Sequence, residues 1–208
     1  MTGDMNEEHD GRSPPEDARR RRLMEAALTV FLRFGFRKTS MDEVARAAGV
    51  SRQGLYLHFP TKEELFRASV QHLLDGALAE ANACLADGEH PLEKRLVGAF
   101  DAWMGRFVGA FGGSAADLTA AASELVGPMV SEREGQFIEA VTRTVRASGL
   151  VAAYKAAGLT ARQLVDTLYA TGRGLKYGPT REGFVEGMTI AVRVMCWPLR
   201  ERERSARS

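Results

Sequence analysis

The sequence predicts an all-α fold in two unequal parts: an N-terminal three-helix helix-turn-helix domain, then a larger helical bundle, about nine helices in all. Three observations carry this. Apolar residues recur at intervals of three and four, as they do along one face of a helix. Four S/T-x-x-E/Q capping boxes stand ahead of such runs. The β-branched alternation that marks strands is scarce.

The first helix is predicted to open at Ser13, with Pro14 at its first position and Glu16 closing a capping box. Leu23, Ala26, Ala27, Val30, Phe31 and Phe34 form its inward stripe, and Gly35 ends it. Ser40 and Glu43 box the start of a short second helix, with Val44 and Ala45 inward and Gly49 as its stop. A third helix starts after Ser51, with Leu55, Tyr56 and Phe59 on its inner side; Pro60 and the box Thr61–Glu64 keep it short. The fourth runs from Lys62 to about Ala86.

A fifth helix is read from Pro91 to Phe111, with Gly112-Gly113 as its break. Ser114 caps a segment ending near Gly127, and Pro128 starts another that loosens around Gly149. Thr160 and Gln163 box a helix reaching Gly172, and Thr180 caps a last one running to Trp197-Pro198. This divides the chain into an aperiodic acidic tail over 1–12, a head over 13–77 and a body over 78–200, with frayed ends from Arg204.

Composition narrows the function. The net charge of +1 conceals an asymmetry, with −5 over residues 1–18, +6 over 19–67 and balance thereafter. A compact basic segment beside a neutral bulk suits a polyanion-binding head. No apolar run reaches the roughly 20 residues of a membrane helix, and the start lacks the apolar core of a secretory signal. Cys84 and Cys196 show no metal or redox spacing, which makes the cytoplasm the default compartment. The four histidines, at 9, 58, 72 and 90, have no ligand spacing, and there is no G-x-S-x-G, H-E-x-x-H or phosphate-gripping loop. Neither catalytic residues, a metal nor a cofactor is expected.

The informative stretch is the helix, tight turn and helix between Ser40 and His58. An ordinary αα corner has the same outline; the surrounding positive charge favours DNA. Its residues resemble the DNA-binding domain of the TetR family of transcriptional regulators. The matches are Ala26-Ala27, Phe31, Gly35 and Thr39-Ser40, then Val44-Ala45 with Ala48-Gly49-Val50-Ser51, then Leu55-Tyr56 with His58-Phe59, and Lys62 with Leu65-Phe66. They cover roughly residues 17–77.

On this reading Arg52 and Gln53 are the base readers, since Arg pairs bidentately with guanine and Gln with adenine. Ser51 opens the reading helix, and Gly54 lets backbone approach DNA. His58 faces the backbone or a base edge. Thr39 and Ser40, at a helix N-terminus, suit phosphate. Leu57 holds an outward position from which it could touch a thymine methyl. The run Arg19–Arg22 serves as an electrostatic arm or a solvated helix start. The resemblance implies that Tyr56 sets its ring against the first helix and its hydroxyl on a phosphate, and that Lys62 binds phosphate.

It also implies an effector pocket among helices five to eight, with helix four relaying movement to the head. Trp103, Met104, Phe107, Phe111, Met129, Phe137 and Tyr169 suit an apolar cavity, or equally a plain bundle core. Arg106, Glu124, Glu132 and Arg143 are candidate polar anchors. A reading helix of about seven residues spans only roughly 10 Å, so selective binding calls for a two-fold dimer on a palindrome. The last two helices would form that interface through Leu164, Leu168, Phe184, Met188, Val192 and Met195, with Ala170, Gly172, Gly187 and Ala191 allowing close approach. The expected partners are a palindromic double-stranded DNA operator, a second copy of the chain and a small apolar effector, and no membrane. The expected function is a sequence-specific regulator acting as a homodimeric repressor; the alternative is a helical apolar-ligand or scaffold protein without specific DNA binding.

Overall fold

The computed structural model describes residues 14–109 and 115–205. They form nine α-helices: α1 Pro14–Phe34, α2 Met41–Ala47, α3 Arg52–Tyr56, α4 Lys62–Ala86, α5 Leu92–Trp103, α6 Ala115–Ala147, α7 Leu150–Ala153, α8 Ala161–Leu175 and α9 Arg181–Ser205. The acidic tail, the Ser13 cap, Phe111 and the Gly112–Ser114 break lie outside the described residues.

Local chemistry accounts for the head. Gly35, at φ +86°, turns the chain out of α1, and Gly49, at φ +65°, makes the turn between α2 and α3. The Ser40–Glu43 box is formed in both directions, and the Ser51 and Thr61 hydroxyls cap α3 and α4, each worth about 1 kcal/mol. Leu23, Ala27, Phe31, Val44, Leu55, Phe59, Leu65 and Phe66 bury together as one core. Phe66 meets Phe31 edge-on at 5.1 Å and Phe36 at 5.0 Å, the geometry that aromatic quadrupoles favour.

A second core fills the body. It takes Ala77, Ala81 and Leu85 from α4, Leu96 and Phe100 from α5, Phe137 and Val141 from α6, Leu168 from α8 and Met188 and Val192 from α9. Two helices cross from one core to the other. α4 gives Leu65 and Phe66 to the head and Ala77 to Leu85 to the body; α6 gives Leu118, Ala121 and Val126 to the head and Phe137 to Val145 to the body.

Three boundaries differ from expectation. α6 is one helix of 33 residues running through Pro128, where a break was predicted. An interior proline costs about 3 kcal/mol, but here each half of the helix buries its own apolar face, and that burial outweighs it. Pro128 lies on the exposed side, and Arg67 Nε of α4 donates to the neighbouring Leu125 carbonyl at 3.4 Å. The count of nine therefore survives through a different division, with the four-residue α7 after Gly149 as the unpredicted member.

α5 stops at Trp103 and tightens into a 3-10 turn over Gly105–Phe107. Gly105 is wedged against the Asp101 carboxylate and the Phe184 ring, which a continuing helix with side chains would not permit. α9 passes through Pro198 to Ser205, so Arg204 belongs to the helix. The proline's missing N–H falls opposite Val194 on the solvent face, where it is least costly.

Candidate nucleic-acid interface

The turn at Gly49 sets α3 across α2 so that Leu55 is fully buried and the opposite side of α3 faces out. That outer face carries Arg52, Gln53, Tyr56 and Leu57, spaced one, three and one apart. Arg52 is held rather than loose: its Nε and Nη1 each lie 3.2 Å from an oxygen of Asp42, and its Cζ sits 5.5 Å from the Tyr56 ring centroid. Gln53 is exposed beside it and His58 half-buried at the helix end. Leu57 is 80% exposed, an unusual state for leucine inside a folded domain.

Several candidates sit elsewhere than expected. Tyr56 is not on the inner side of α3 but on its exposed face, beneath Arg52. Gly54 is buried, not open to a duplex: a Cβ there would lie 3.2 Å from Ser51 Oγ and 3.6 Å from Arg19. Its missing side chain serves the contact between α1 and α3. Thr39 is 2% exposed and its hydroxyl donates to the Gly35 carbonyl at 2.7 Å, because the loop's backbone needs that donor. Lys62 donates from Nζ to the carbonyls of Phe36 at 3.1 Å and Thr39 at 3.2 Å, with Nζ 4.5 Å from the Phe36 ring. The lysine thereby staples the α1–α2 loop to α4.

Ser40 and Ser51 stay exposed while capping; the Ser40 backbone and hydroxyl hold Glu43, whose carboxyl is lowered below its ordinary range by those bonds. Arg19, Arg21 and Arg22 are exposed on the first turns of α1, and Arg20 lies 4.4 Å over the Phe59 ring. Lys38 and Arg46 add exposed positive charge near the α2 ends. Sequence reasoning missed Asp42, whose part is visible only once the turn folds it against Arg52. It also missed Arg37, whose backbone N–H donates to Asp117 at 3.0 Å and whose Nε lies 3.5 Å from the same carboxylate, tying the head to α6.

The body candidates separate. Trp103 stacks on Phe137 at 5.2 Å, Phe100 meets Phe137 edge-on at 5.2 Å, and Met104 is buried beside them. Phe107 and Tyr169 pack partly buried against this cluster. Burial pushes the Tyr169 phenol up, and its hydroxyl is bonded to Trp103 and Glu134. These side chains pack with one another in and against the body core. Met129 is on the other core, packed with the head. Of the polar anchors, Arg106 pairs with Glu80, and Glu132 and Arg143 line a shallow groove of about 440 Å³ between α4 and α6. Glu124 is exposed on the first half of α6.

All six residues predicted to meet a partner chain are buried in the body's own core instead: Leu164, Leu168, Phe184, Met188, Val192 and Met195. The apolar stripe that α9 leaves exposed is the opposite one, with Ile190 at 58%, Val194 at 69% and Trp197 at 58%. The more apolar face of α9 packs into its own bundle. Of the small residues, Gly172 is buried against Met104 and Gly187 accommodates Leu175, whereas Ala170 is exposed. Among the described residues no group of His, Cys, Asp and Glu is placed to hold a metal, and no helix is long and apolar enough to cross a membrane.

Comparison with known proteins agrees with this geometry. Residues 23–69 match the family model for bacterial regulatory proteins of the tetR family. The uncharacterized HTH-type transcriptional regulator YfiR of Bacillus subtilis is 44% identical over 63 residues, 30% of this chain and 31% of that protein. The HTH-type transcriptional regulator RutR of Escherichia coli is 38% identical over 76 residues, 36% of each. The chain thus aligns with about a third of the length of these relatives. The crystal structure of a TetR-like transcriptional regulator from Rhodococcus sp. RHA1 superposes with TM-score 0.60 at 26% identity, over 89% of this chain and 97% of that one. The head is thus matched in sequence to the tetR-family model, and the helical body is matched in fold to a TetR-like transcriptional regulator.

Proposed function

We propose that this protein is a homodimeric, sequence-specific DNA-binding regulator that represses from a palindromic operator and is released by a small molecule. The observation that carries the reading is the outer face of α3: a preorganised arginine, a glutamine and an unpartnered leucine, presented on the most basic part of the chain. Arg52 and Gln53 read base edges in the major groove. Ser40, Ser51, Tyr56, His58 and the exposed arginines of α1 serve phosphates and set register. Thr39, Gly54 and Lys62 support that surface from behind, consistent with their internal bonds.

Dimerisation uses the exposed face of α9. Gly183, Gly187, Ile190, Val194 and Trp197 alternate at four and three residues, the spacing of a helix–helix seam, over about 20 Å. Thr167, Ala170, Thr171 and Gly174 give α8 a small-residue face, spaced three, one and three apart. Release follows from a ligand favouring a dimer whose heads are wrongly spaced for successive major grooves. Coupling of about 1–3 kcal/mol lowers operator affinity roughly 5–150-fold.

Selection of sites from a random duplex pool at near-physiological salt tests this. An enriched palindrome is the expected result; no enrichment by the folded protein overturns the reading.

A further inference from the structure

The body holds a groove that the predicted ligand residues do not touch. It encloses about 600 Å³ between the end of α4, the first two turns of α5 and the outer side of α9. Cys84, Val97, Gly98 and Val185 supply its apolar surface. Most of the charge around it is already committed. Glu93 pairs with Arg200 at 2.6 Å, Asp101 takes both Arg181 bonds at 2.9 and 2.7 Å, and Asp87 holds His90 at 2.8 Å. Arg95 Nε donates to the Leu85 carbonyl at 2.9 Å. Two cations at the rim, Lys94 and Arg193, have no hydrogen-bond or ion-pair partner among the described residues.

An apolar surface whose acids already hold partners, flanked by two cations from different helices that have none among the described residues, suits a ligand with a hydrocarbon body and one anionic head. We propose that this groove binds an amphipathic organic anion such as a medium-chain carboxylate, its head between Lys94 and Arg193 and its body over Cys84 and Val97, and that binding loosens the operator complex. The inference rests on the regulator reading for its consequence, not for the binding itself.

Its position supplies the coupling. α4 forms one wall at Cys84 and continues into the head core at Leu65 and Phe66. Where α4 and α5 meet, a Cβ on Gly98 would stand 3.2 Å from the Cys84 sulfur, closer than ordinary contact. The two helices are in close contact at that crossing, so a hydrocarbon chain lying over Cys84 and Val97 bears on both at once. Cys84 is also a built-in reporter, since Cys196 is 1% exposed while Cys84 is half-buried at the groove.

The test uses the full chain without DNA, with dodecanoate below its micelle concentration and dodecan-1-ol as the uncharged control. Calorimetric titration reads binding, and mass spectrometry reads alkylation of Cys84 by iodoacetamide. The proposal expects saturable dodecanoate binding that slows Cys84 alkylation, weaker binding of the alcohol, and about a tenfold loss in the Lys94→Ala/Arg193→Ala variant at unchanged melting temperature. Equal binding of acid and alcohol, retention of binding in the double variant, or neither heat nor protection overturns it. Failure to enrich any DNA site sinks the regulator reading alone, because these readouts contain no DNA.

Discussion

Arg52 and Asp42 are tied across the helix-turn-helix: Nε lies 3.2 Å from one carboxylate oxygen and Nη1 3.2 Å from the other. Both are exposed, so the pair adds little to stability. Its effect is to aim the guanidinium while placing a negative charge where DNA must approach. Asp42→Ala is therefore expected to raise affinity for scrambled duplex a fewfold and to lower the ratio of specific to nonspecific binding about tenfold. Titrating both duplexes at two salt concentrations checks this; an unchanged ratio removes Asp42 from the reading machinery.

Leu57 has no polar group, and its exposed side chain gains on DNA only by meeting an apolar group, of which the major groove offers the thymine methyl. Replacing thymine by deoxyuracil at one position of each selected half-site is expected to weaken binding by about threefold to tenfold. Leu57→Ala should bind both duplexes equally, at the weaker level. If the variant still discriminates them, another residue reads the methyl.

The two faces of α9 make opposite predictions. Val194→Asp places a charge on the exposed stripe and should yield a folded monomer by sedimentation, with weakened operator binding. Val192→Asp, fully buried, should fail to fold or melt far lower, because an unpaired carboxylate enters the core. A Val194→Asp protein that remains dimeric moves the interface elsewhere.

Lys62 bonds two loop carbonyls and lies against Phe36, so its loss acts on the fold as well as on any phosphate. Lys62→Ala should cost about 1–2 kcal/mol and lower the melting temperature by about 2–6 °C. An unchanged melting curve with reduced DNA affinity would restore the purely phosphate-binding role.

Burial pushes the Cys196 thiol up to about 12 from an ordinary 9.0. The folded state then holds this proton after the unfolded chain has released it. The stability it contributes is complete below about pH 9 and is lost as pH rises from there through 12. Melting temperature should fall over that window, and less steeply in Cys196→Ala; parallel declines in the two proteins would show that other groups govern the alkaline limb.

How far the sequence was legible depended on whether the relevant forces were local. Caps are one-turn hydrogen bonds: the boxes at Ser40 and Thr160 form in both directions, whereas at Thr61 only the hydroxyl half of the box read from the sequence is formed. The inward stripe of α1 follows from the same periodicity as far as Phe31, whereas Phe34, read as part of it, is exposed. α9 carries two apolar stripes, and which of them enters the bundle is not legible until the neighbouring helices are placed. Pro128 was misread because a local penalty was weighed without the two cores that outweigh it. Thr39 and Lys62 matched their motif positions, and only the folded loop reveals that their polar atoms are already occupied.

The shared ownership of α6 bears on how such proteins are recombined. The head core closes over Leu118, Ala121 and Val126, residues far downstream of the segment that aligns with its relatives. A chimera that exchanges only the N-terminal reading unit would set a foreign surface against those three side chains and against Asp117, the anchor of Arg37. Exchange of the reading unit between relatives is thus a two-segment graft, in which the first half of α6 travels with it and the junction falls after Val130.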